Sequence, residues 1–376
     1  MKLIHLSDLH LGKRLNDYSL IEDQEYALGQ IVRIIDEEAP NGVLIAGDVY
    51  DKSVPSAEAI RLFDDFLIEL SNRKIPVFVI SGNHDSAERM SFGARLMDAS
   101  GVHIAGAYGG ETVPYTLSDD NGDVRIYMLP FFKPQIARRF HGDDAVSYTD
   151  AMRLAIEAMD IDPSARNILI AHQFVVGSSR SDSEEISVGG TDEVDASVFD
   201  DFDYVALGHL HRPQNSAGSR VRYSGSPLKY SFSEAKDVKS VTVVELYEKG
   251  NLVVRTIPIP YLRDMVELRG KYDELMQKSF YEDTTYRDDY VRITLTDEDD
   301  IPDAIGRLRV IYRNLMRLDY DNTRTRSTGT VDIPVEKRSP LELFSDFYAA
   351  QNDKPMSEEQ TCFVKGMIES IWEGEI

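Results

Sequence analysis

Residues 76 to 85 read Pro76-Val77-Phe78-Val79-Ile80-Ser81-Gly82-Asn83-His84-Asp85. An unbroken apolar run of this length, rich in β-branched and aromatic side chains, predicts a strand buried on both faces. The glycine after it permits a tight turn, so that three successive polar side chains can converge on one point. The same arrangement recurs along the chain. Lys2 to Leu6 runs into Asp8-Leu9-His10, Val43 to Ala46 into Gly47-Asp48, Ile168 to Ala171 into His172, and Tyr204 to Leu207 into Gly208-His209-Leu210-His211. Five polar clusters that each follow a strand are expected along one rim of a sheet, at the carboxyl ends where α/β proteins place their ligands.

Between these strands lie amphipathic stretches. Leu28, Ile31, Val32 and Ile35 build one apolar face, and Phe63, Phe66, Leu67 and Leu70 another, so both stretches are predicted as core helices. Asn121-Gly122 marks a hairpin between Thr116-Leu117 and Arg125 to Leu129. Ser240 to Ile259, broken at Lys249-Gly250-Asn251, reads as a second, so the latter half of the core is expected to turn antiparallel. The whole stretch up to residue 260 is an α/β core.

Past Pro258 and Pro260 the pattern changes to a small α+β unit, residues 261 to 330. Met265 to Leu268 and Tyr290 to Leu295 are strand-like, Tyr272 to Lys278 is helical, and a helix is expected through Ile305, Leu308, Tyr312 and Leu315. Arg309, Arg313 and Arg317 would line one side of that helix, either as a solvated face or as a contact for phosphates. A polar connector, Asp321 to Arg338, leads to two short segments rich in aromatic residues, which carry Phe344, Phe347 and Tyr348, then Phe363 and Trp372. Residues 331 to 376 thus look like a linker with docking helices, unless the helices fold back on their own core.

Bulk properties narrow the function. The chain has 376 residues, enough for one large domain and smaller ones, and a formal net charge of -24. Acidic residues outnumber basic ones on both sides of residue 260, so any contact with nucleic acid must be local. The single cysteine, Cys362, excludes a disulfide framework or a cysteine-ligated zinc site, suits a reducing cytoplasm, and is expected partly buried on a helix. No export signal is expected from the opening strand, and no apolar run is long enough to span a bilayer. A Walker-type phosphate loop is missing from the sequence, so ATP is not expected to bind this chain.

Five of the eight histidines fall in the strand-end clusters, together with aspartates and an asparagine. Imidazole with oxygen donors suits a transition metal of some hard character, and Mn²⁺ is the first choice, with Mg²⁺ or Fe²⁺ as alternatives. Two such ions sharing a carboxylate polarise a phosphate and lower the pKa of water for in-line attack.

In this order, D-x-H, G-D, G-N-H, a lone H and G-H-x-H, the clusters resemble the motifs of the calcineurin-like metallophosphoesterases over residues 1 to 260. The longer strings His5-Leu6-Ser7-Asp8-Leu9-His10-Leu11-Gly12, Gly47-Asp48-Val49-Tyr50-Asp51, Tyr223-Ser224-Gly225-Ser226-Pro227 and Pro340-Leu341-Glu342-Leu343-Phe344 are similar to the SbcD branch, the bacterial counterpart of the Mre-type repair nucleases. The resemblance implies a layered β-sandwich core flanked by helices, a capping domain, and a C-terminal docking segment. It implies a first metal on Asp8, His10 and His211, a second on Asn83, His172 and His209, and Asp48 as the bridge. His84 would protonate the leaving 3′ oxygen or stabilise charge, with Asp85 orienting it. Where archaeal and eukaryotic members place a histidine this chain has Asp51, whose role is left open, while His5, His103 and His141 are expected to be structural or exposed.

By the same resemblance the chain is an exo- and endonuclease subunit acting on DNA ends and hairpins in repair, recombination and replication. Its partners would be DNA, a coiled-coil ATPase of the SbcC type on the C-terminal helices, and a second copy through the nuclease domain, near the helices after Leu11 and Asn83. It would be cytoplasmic and nucleoid-associated. A stand-alone phosphodiesterase of small nucleotides and a scaffold that holds DNA ends are the rival readings; the aromatic C-terminal helices disfavour the first, and the intact ligand set the second.

Overall fold

The structure is a computed structural model that describes residues 1–184, 192–299, 301–323, 340–352 and 354–372. Two six-stranded sheets stack face to face. The first runs Leu252–Pro258, Ser240–Leu246, Lys2–Leu6, Gly42–Ala46, Val77–Ile80, Val102–Ala105; the second runs Gln214–Asn215, Val221–Tyr223, Tyr204–Gly208, Arg166–His172, Gly122–Leu129, Tyr115–Asp119.

Alternation along each strand explains the sandwich. In the first sheet Leu3, Leu44, Ala46, Phe78 and Ile80 point inward against Val124, Ile126, Ile168, Ile170 and Ala206 of the second. Their neighbours Ile4, Leu6, Val43, Ile45, Val77 and Val79 point outward, under the helices Ile21–Glu38 and Ala57–Asn72. The outer face of the second sheet, with Leu169, Ala171, Val205 and Leu207, is covered by the helix Tyr148–Glu157, which a Ser147/Asp150 capping box starts. Strands apolar on both faces are what a helix–sheet–sheet–helix stack requires, each fully buried Leu, Ile or Phe contributing about 1.5–3 kcal/mol.

Lys2–Leu6, Gly42–Ala46, Val77–Ile80 and Val102–Ala105 run parallel in the first sheet, and Gly122–Leu129, Arg166–His172, Tyr204–Gly208 and Val221–Tyr223 in the second; the antiparallel pairings are those of the two expected hairpins, of Ser240–Leu246 against Lys2–Leu6, and of the edge strand Gln214–Asn215. The expectation that the latter half turns antiparallel is corrected accordingly. Between Arg166–His172 and Tyr204–Gly208 the described residues Phe174, Val175, Val194, Phe199 and Phe202 pack on the outer face, and the second sheet keeps its parallel centre.

Beyond Pro258 a three-stranded parallel sheet, Met265–Gly270, Tyr290–Leu295, Asn314–Tyr320, closes over its own core of Leu275, Ile293, Leu308 and Tyr312. The helix expected through Leu315 stops at Arg309; Asn314–Tyr320 is a strand. Leu308, Tyr312 and Leu315 do share a core, but the chain turns at Arg313 to reach it, and Leu315 is buried from an extended strand. The arginine stripe therefore does not exist as one helical face. Arg309 donates to the Leu315 carbonyl, Arg313 pairs with Asp288, and Arg317 pairs with Asp319.

Most of the connector, residues 324–338, lies outside the described residues, and so does residue 339. Pro340–Asn352 and Glu358–Trp372 are helices that pack against each other. Phe344, Phe347 and Phe363 are exposed on them, and so is Cys362, which was expected partly buried.

Candidate metal centre

Register brings the strand ends to one place. Leu6 pairs beside Ile45, Ala46 beside Ile80, and Gly208 beside His172, so the loops that follow leave both sheets on the same side. The Nδ1–H of His172 then donates across the sandwich to the Ala46 carbonyl at 2.8 Å, which fixes its Nε2 toward Asp48.

The turns are tight because the sandwich leaves no room. A Cβ on Gly82 would lie 2.1 Å from Asp48 Oδ1, and one on Gly208 would lie 1.9 Å from the Ala46 carbonyl oxygen. Among the described residues nine non-glycine residues have positive φ, and four of them are Asp8, His10, Asp48 and His209. Each such conformation costs about 1–3 kcal/mol, and it persists where the surroundings impose it, commonly at functional sites.

Seven polar side chains converge. His10 Nε2 stands 3.0 Å from His211 Nε2 and 3.5 Å from Asp48 Oδ2. On the other side of the same Asp48 oxygen, His172 Nε2 stands at 3.3 Å and reaches Asn83 Oδ1 at 3.0 Å, with His209 Nδ1 at 3.1 Å from that amide oxygen. Asp8, His10 and His211 offer ligand atoms all within 4.8 Å of one another; so do Asp8, Asp48 and His172, and so do His10, Asp48 and His84. Asp8, His10, Asp48, His172, His209 and His211 are buried, whereas Asn83 and His84 are half-buried at the mouth.

The electrostatics suit cations. Burial pushes the Asp8 carboxyl up to about 6. Burial also raises Asp48, but His172, His10 and His84 outweigh it and hold that carboxyl well below the usual range. Burial lowers His172, yet Asp48 more than reverses this, to about 9. Burial keeps His10 and His209 well below the ordinary imidazole value, against the opposing charge of Asp48. His10 Nδ1 and His209 Nε2 are buried without hydrogen-bond partners. Four imidazoles, two carboxylates and an amide oxygen, packed nitrogen to nitrogen around one carboxylate, fit two divalent ions of the kind that accept mixed nitrogen and oxygen donors.

His84 and Asp85 differ in part from expectation. The Asp85 carboxylate accepts the backbone N–H groups of Val49, Tyr50 and Gly82, tying two turns together, and burial followed by the charge of Asp48 raises it to about 6. The orienting group for the His84 ring is instead the Asp51 carbonyl, 3.2 Å from Nδ1, while the His84 N–H donates to Asp48 Oδ1. The Asp51 side chain pairs with Lys13 at 2.7 Å and stands 3.8 Å from His10 Nδ1. His5 is buried between the sheets against the Tyr204 hydroxyl, His103 pairs with Asp98, and His141 contacts the Tyr108 hydroxyl.

The sequence reading missed the residues that hold these ligands. Ser7 donates to Asp8 Oδ2 and meets Ser224, which accounts for the Tyr223–Pro227 string; a Cβ on Gly225 would come within 2.6 Å of the His211 carbonyl oxygen. Ser183, Glu184, Glu234 and Lys239 surround His211, and no local motif marks them.

Comparison with known proteins bears on this geometry. Residues 1–213 match the calcineurin-like phosphoesterase family, and residues 261–352 match SbcD_C, the type 5 capsule protein repressor C-terminal domain. Over 383 aligned residues, covering all of both chains, the protein is 33% identical to the SbcD subunit of nuclease SbcCD from Staphylococcus epidermidis. The chain belongs to the SbcD family of calcineurin-like phosphoesterases. As an SbcD-family chain it is a metal-dependent phosphoesterase, and the mixed sandwich is that of its superfamily. Looser overlaps exist with a dimetal phosphatase from Danio rerio (14% identity, TM-score 0.42, 69% of this chain and 96% of that one) and with TT1561 of Thermus thermophilus (12%, 0.40, 68% and 98%).

Proposed function

We propose that the chain is the nuclease subunit of a complex with an SbcC-type coiled-coil ATPase, cutting DNA phosphodiesters at ends and hairpins with two Mn²⁺ ions. The observation that carries this reading is the pair of donor groups on either side of Asp48 Oδ2, in a chain related over its full length to a nuclease subunit. Asp8, His10 and His211 would hold the first ion and Asn83, His172 and His209 the second, with Asp48 a donor available to both. When bound, the ions polarise the scissile phosphate and raise the acidity of the attacking water.

The chain's own residues do the rest. His84 sits at the mouth with Nδ1 engaged by the Asp51 carbonyl, so Nε2 is the nitrogen left to give a proton to the leaving 3′ oxygen. Asp85 holds the turn that carries it. With a net charge of -24, attraction for DNA is confined to the metal centre and to local basic groups. The exposed helices Pro340–Asn352 and Glu358–Trp372 present the aromatic side chains that the ATPase covers, and a stand-alone phosphodiesterase has no use for them. Homodimerisation uses the nuclease domain, where Phe92 and Leu96 are exposed after Asn83. The reading implies a cytoplasmic, nucleoid-associated protein; no helix among the described residues is long and apolar enough to cross a membrane.

The test compares wild type with His84→Ala on an end-labelled DNA duplex and on bis-p-nitrophenyl phosphate, both with Mn²⁺ and with the ATPase present. Wild type is expected to cut both. His84→Ala should lose DNA cleavage by roughly 10²–10⁴-fold while still binding metal. Cleavage of the small diester alone by wild type would favour the stand-alone phosphodiesterase.

A further inference from the structure

The four buried imidazoles of the centre are not held alike. His172 donates its outer N–H to a backbone carbonyl, while the outer nitrogens of His10 and His209 make no hydrogen bond, His10 Nδ1 having only the Asp51 carboxylate at 3.8 Å. Of the four, only His211 has its outer nitrogen hydrogen-bonded to a side chain. Its Nδ1 lies 2.6 Å from Ser183 Oγ, and the same hydroxyl lies 2.5 Å from Glu234 Oε1. Glu234 has no exposed surface, and its other oxygen is paired with Lys239 Nζ at 2.5 Å.

These contacts fix the direction of each hydrogen bond. A buried carboxylate paired with an ammonium is an acceptor only, so Ser183 must donate its proton to Glu234. With its own proton given to Glu234, the serine oxygen can only accept from His211, as it can from Ser181 Oγ at 2.8 Å, which places the His211 proton on Nδ1 and leaves the Nε2 lone pair facing His10 and Asp8. Direct contact with the carboxylate is not made, since His211 Nδ1 and Glu234 Oε1 are 3.9 Å apart. The backbone is locked as well. Glu184 accepts the His211 N–H at 2.7 Å, and Lys239 Nζ donates to the His211 carbonyl at 2.7 Å.

We infer that Ser183 is a positioning residue for the first metal: through Glu234 it sets the tautomer and orientation of His211. This rests on the two-metal reading above. Partners of this kind, which fix a metal-binding imidazole from behind, typically change metal affinity by roughly 10–100-fold when removed. Ser183 lies within a segment, Ser181 to Glu184, that docks on His211 by both a side chain and a backbone contact. The affinity of the first site is thereby coupled to that segment.

The experiment is Mn²⁺ titration of the metal-stripped full chain by calorimetry, for wild type, Ser183→Ala and Ser183→Thr, with metal-free melting as a control on folding. Wild type should bind two ions. Ser183→Ala should weaken one event by roughly 10–100-fold and leave the other within about twofold, at an unchanged metal-free melting temperature, and Ser183→Thr, which keeps the hydroxyl, should restore it. Two undiminished events in Ser183→Ala, equal weakening of both, or no rescue by threonine would overturn the role of Ser183 alone. A folded wild type that binds no Mn²⁺ would overturn the two-metal reading and this inference with it.

Discussion

At residue scale, His5 shows what a histidine does inside this sandwich when it is not a ligand. It shares the inward face with Leu3, and burial followed by the charge of Arg222 lowers its pKa to about 3. Tyr204, whose hydroxyl it meets at 2.9 Å, is itself kept neutral by burial. A histidine depressed in the folded state stabilises above its unfolded pKa of about 6.5, and that stability is lost as the pH falls toward the folded value. In EDTA, the unfolding free energy of wild type is therefore expected to fall more steeply than that of His5→Leu between about pH 6.5 and about pH 4. The difference should approach one proton, about 1.4 kcal/mol per pH unit; parallel curves from urea melts would show that His5 is protonated in the folded chain. His5 and His172 illustrate the limit of sequence reading at this scale. Position after a strand separated ligand from core for both, but their pKa values move in opposite directions because only His172 has a carboxylate beside it.

At the scale of elements, the first core helix and the three-stranded unit beyond Pro258 are joined by a polar latch that no pattern announced. Arg263 pairs with Asp23 at 2.7 Å and with Glu22 at 2.5 Å, and the Tyr290 hydroxyl donates to the same Asp23 oxygen at 2.7 Å. Asp23 is buried, with its second oxygen unpartnered, whereas Glu22 is exposed. Removing one partner of a buried pair leaves an uncompensated charge, so Arg263→Ala should cost about 3 kcal/mol. Glu22→Ala should cost under about 1 kcal/mol. Equal losses from the two variants in denaturant unfolding would mean that Asp23 contributes nothing beyond a surface pair. The misread helix at Leu315 belongs to this scale too. Spacing of three and four is met equally by a short helix, a turn and a strand that deliver Leu308, Tyr312 and Leu315 to one core, and periodicity alone does not distinguish them.

At the scale of the whole molecule, the candidate metal centre and the proposed docking helices sit at separate ends of the chain. Every side chain of the candidate metal centre comes from Asp8 to His211, and the exposed Phe344, Phe347 and Phe363 lie on the last two described helices. Deleting residues 339 to 376 is therefore expected to leave Mn²⁺-dependent cleavage of bis-p-nitrophenyl phosphate within about twofold while copurification with the ATPase is lost; an inactive but folded truncation would overturn the docking assignment. The strand-end motifs were legible because each is local: a buried strand, a glycine and a polar side chain lie within a few residues, and register along parallel strands brings them to one rim. Sequence alone thus determined the α/β core, the seven convergent side chains and the metal chemistry they suit. Only the tertiary structure decided how those side chains are held, whether by the Asp51 carbonyl behind His84, Asp85 across two turns, or Ser183 and Glu234 behind His211. Such contacts join residues 28 to 51 positions apart through hydrogen bonds that follow from packing, and packing leaves no period in the chain.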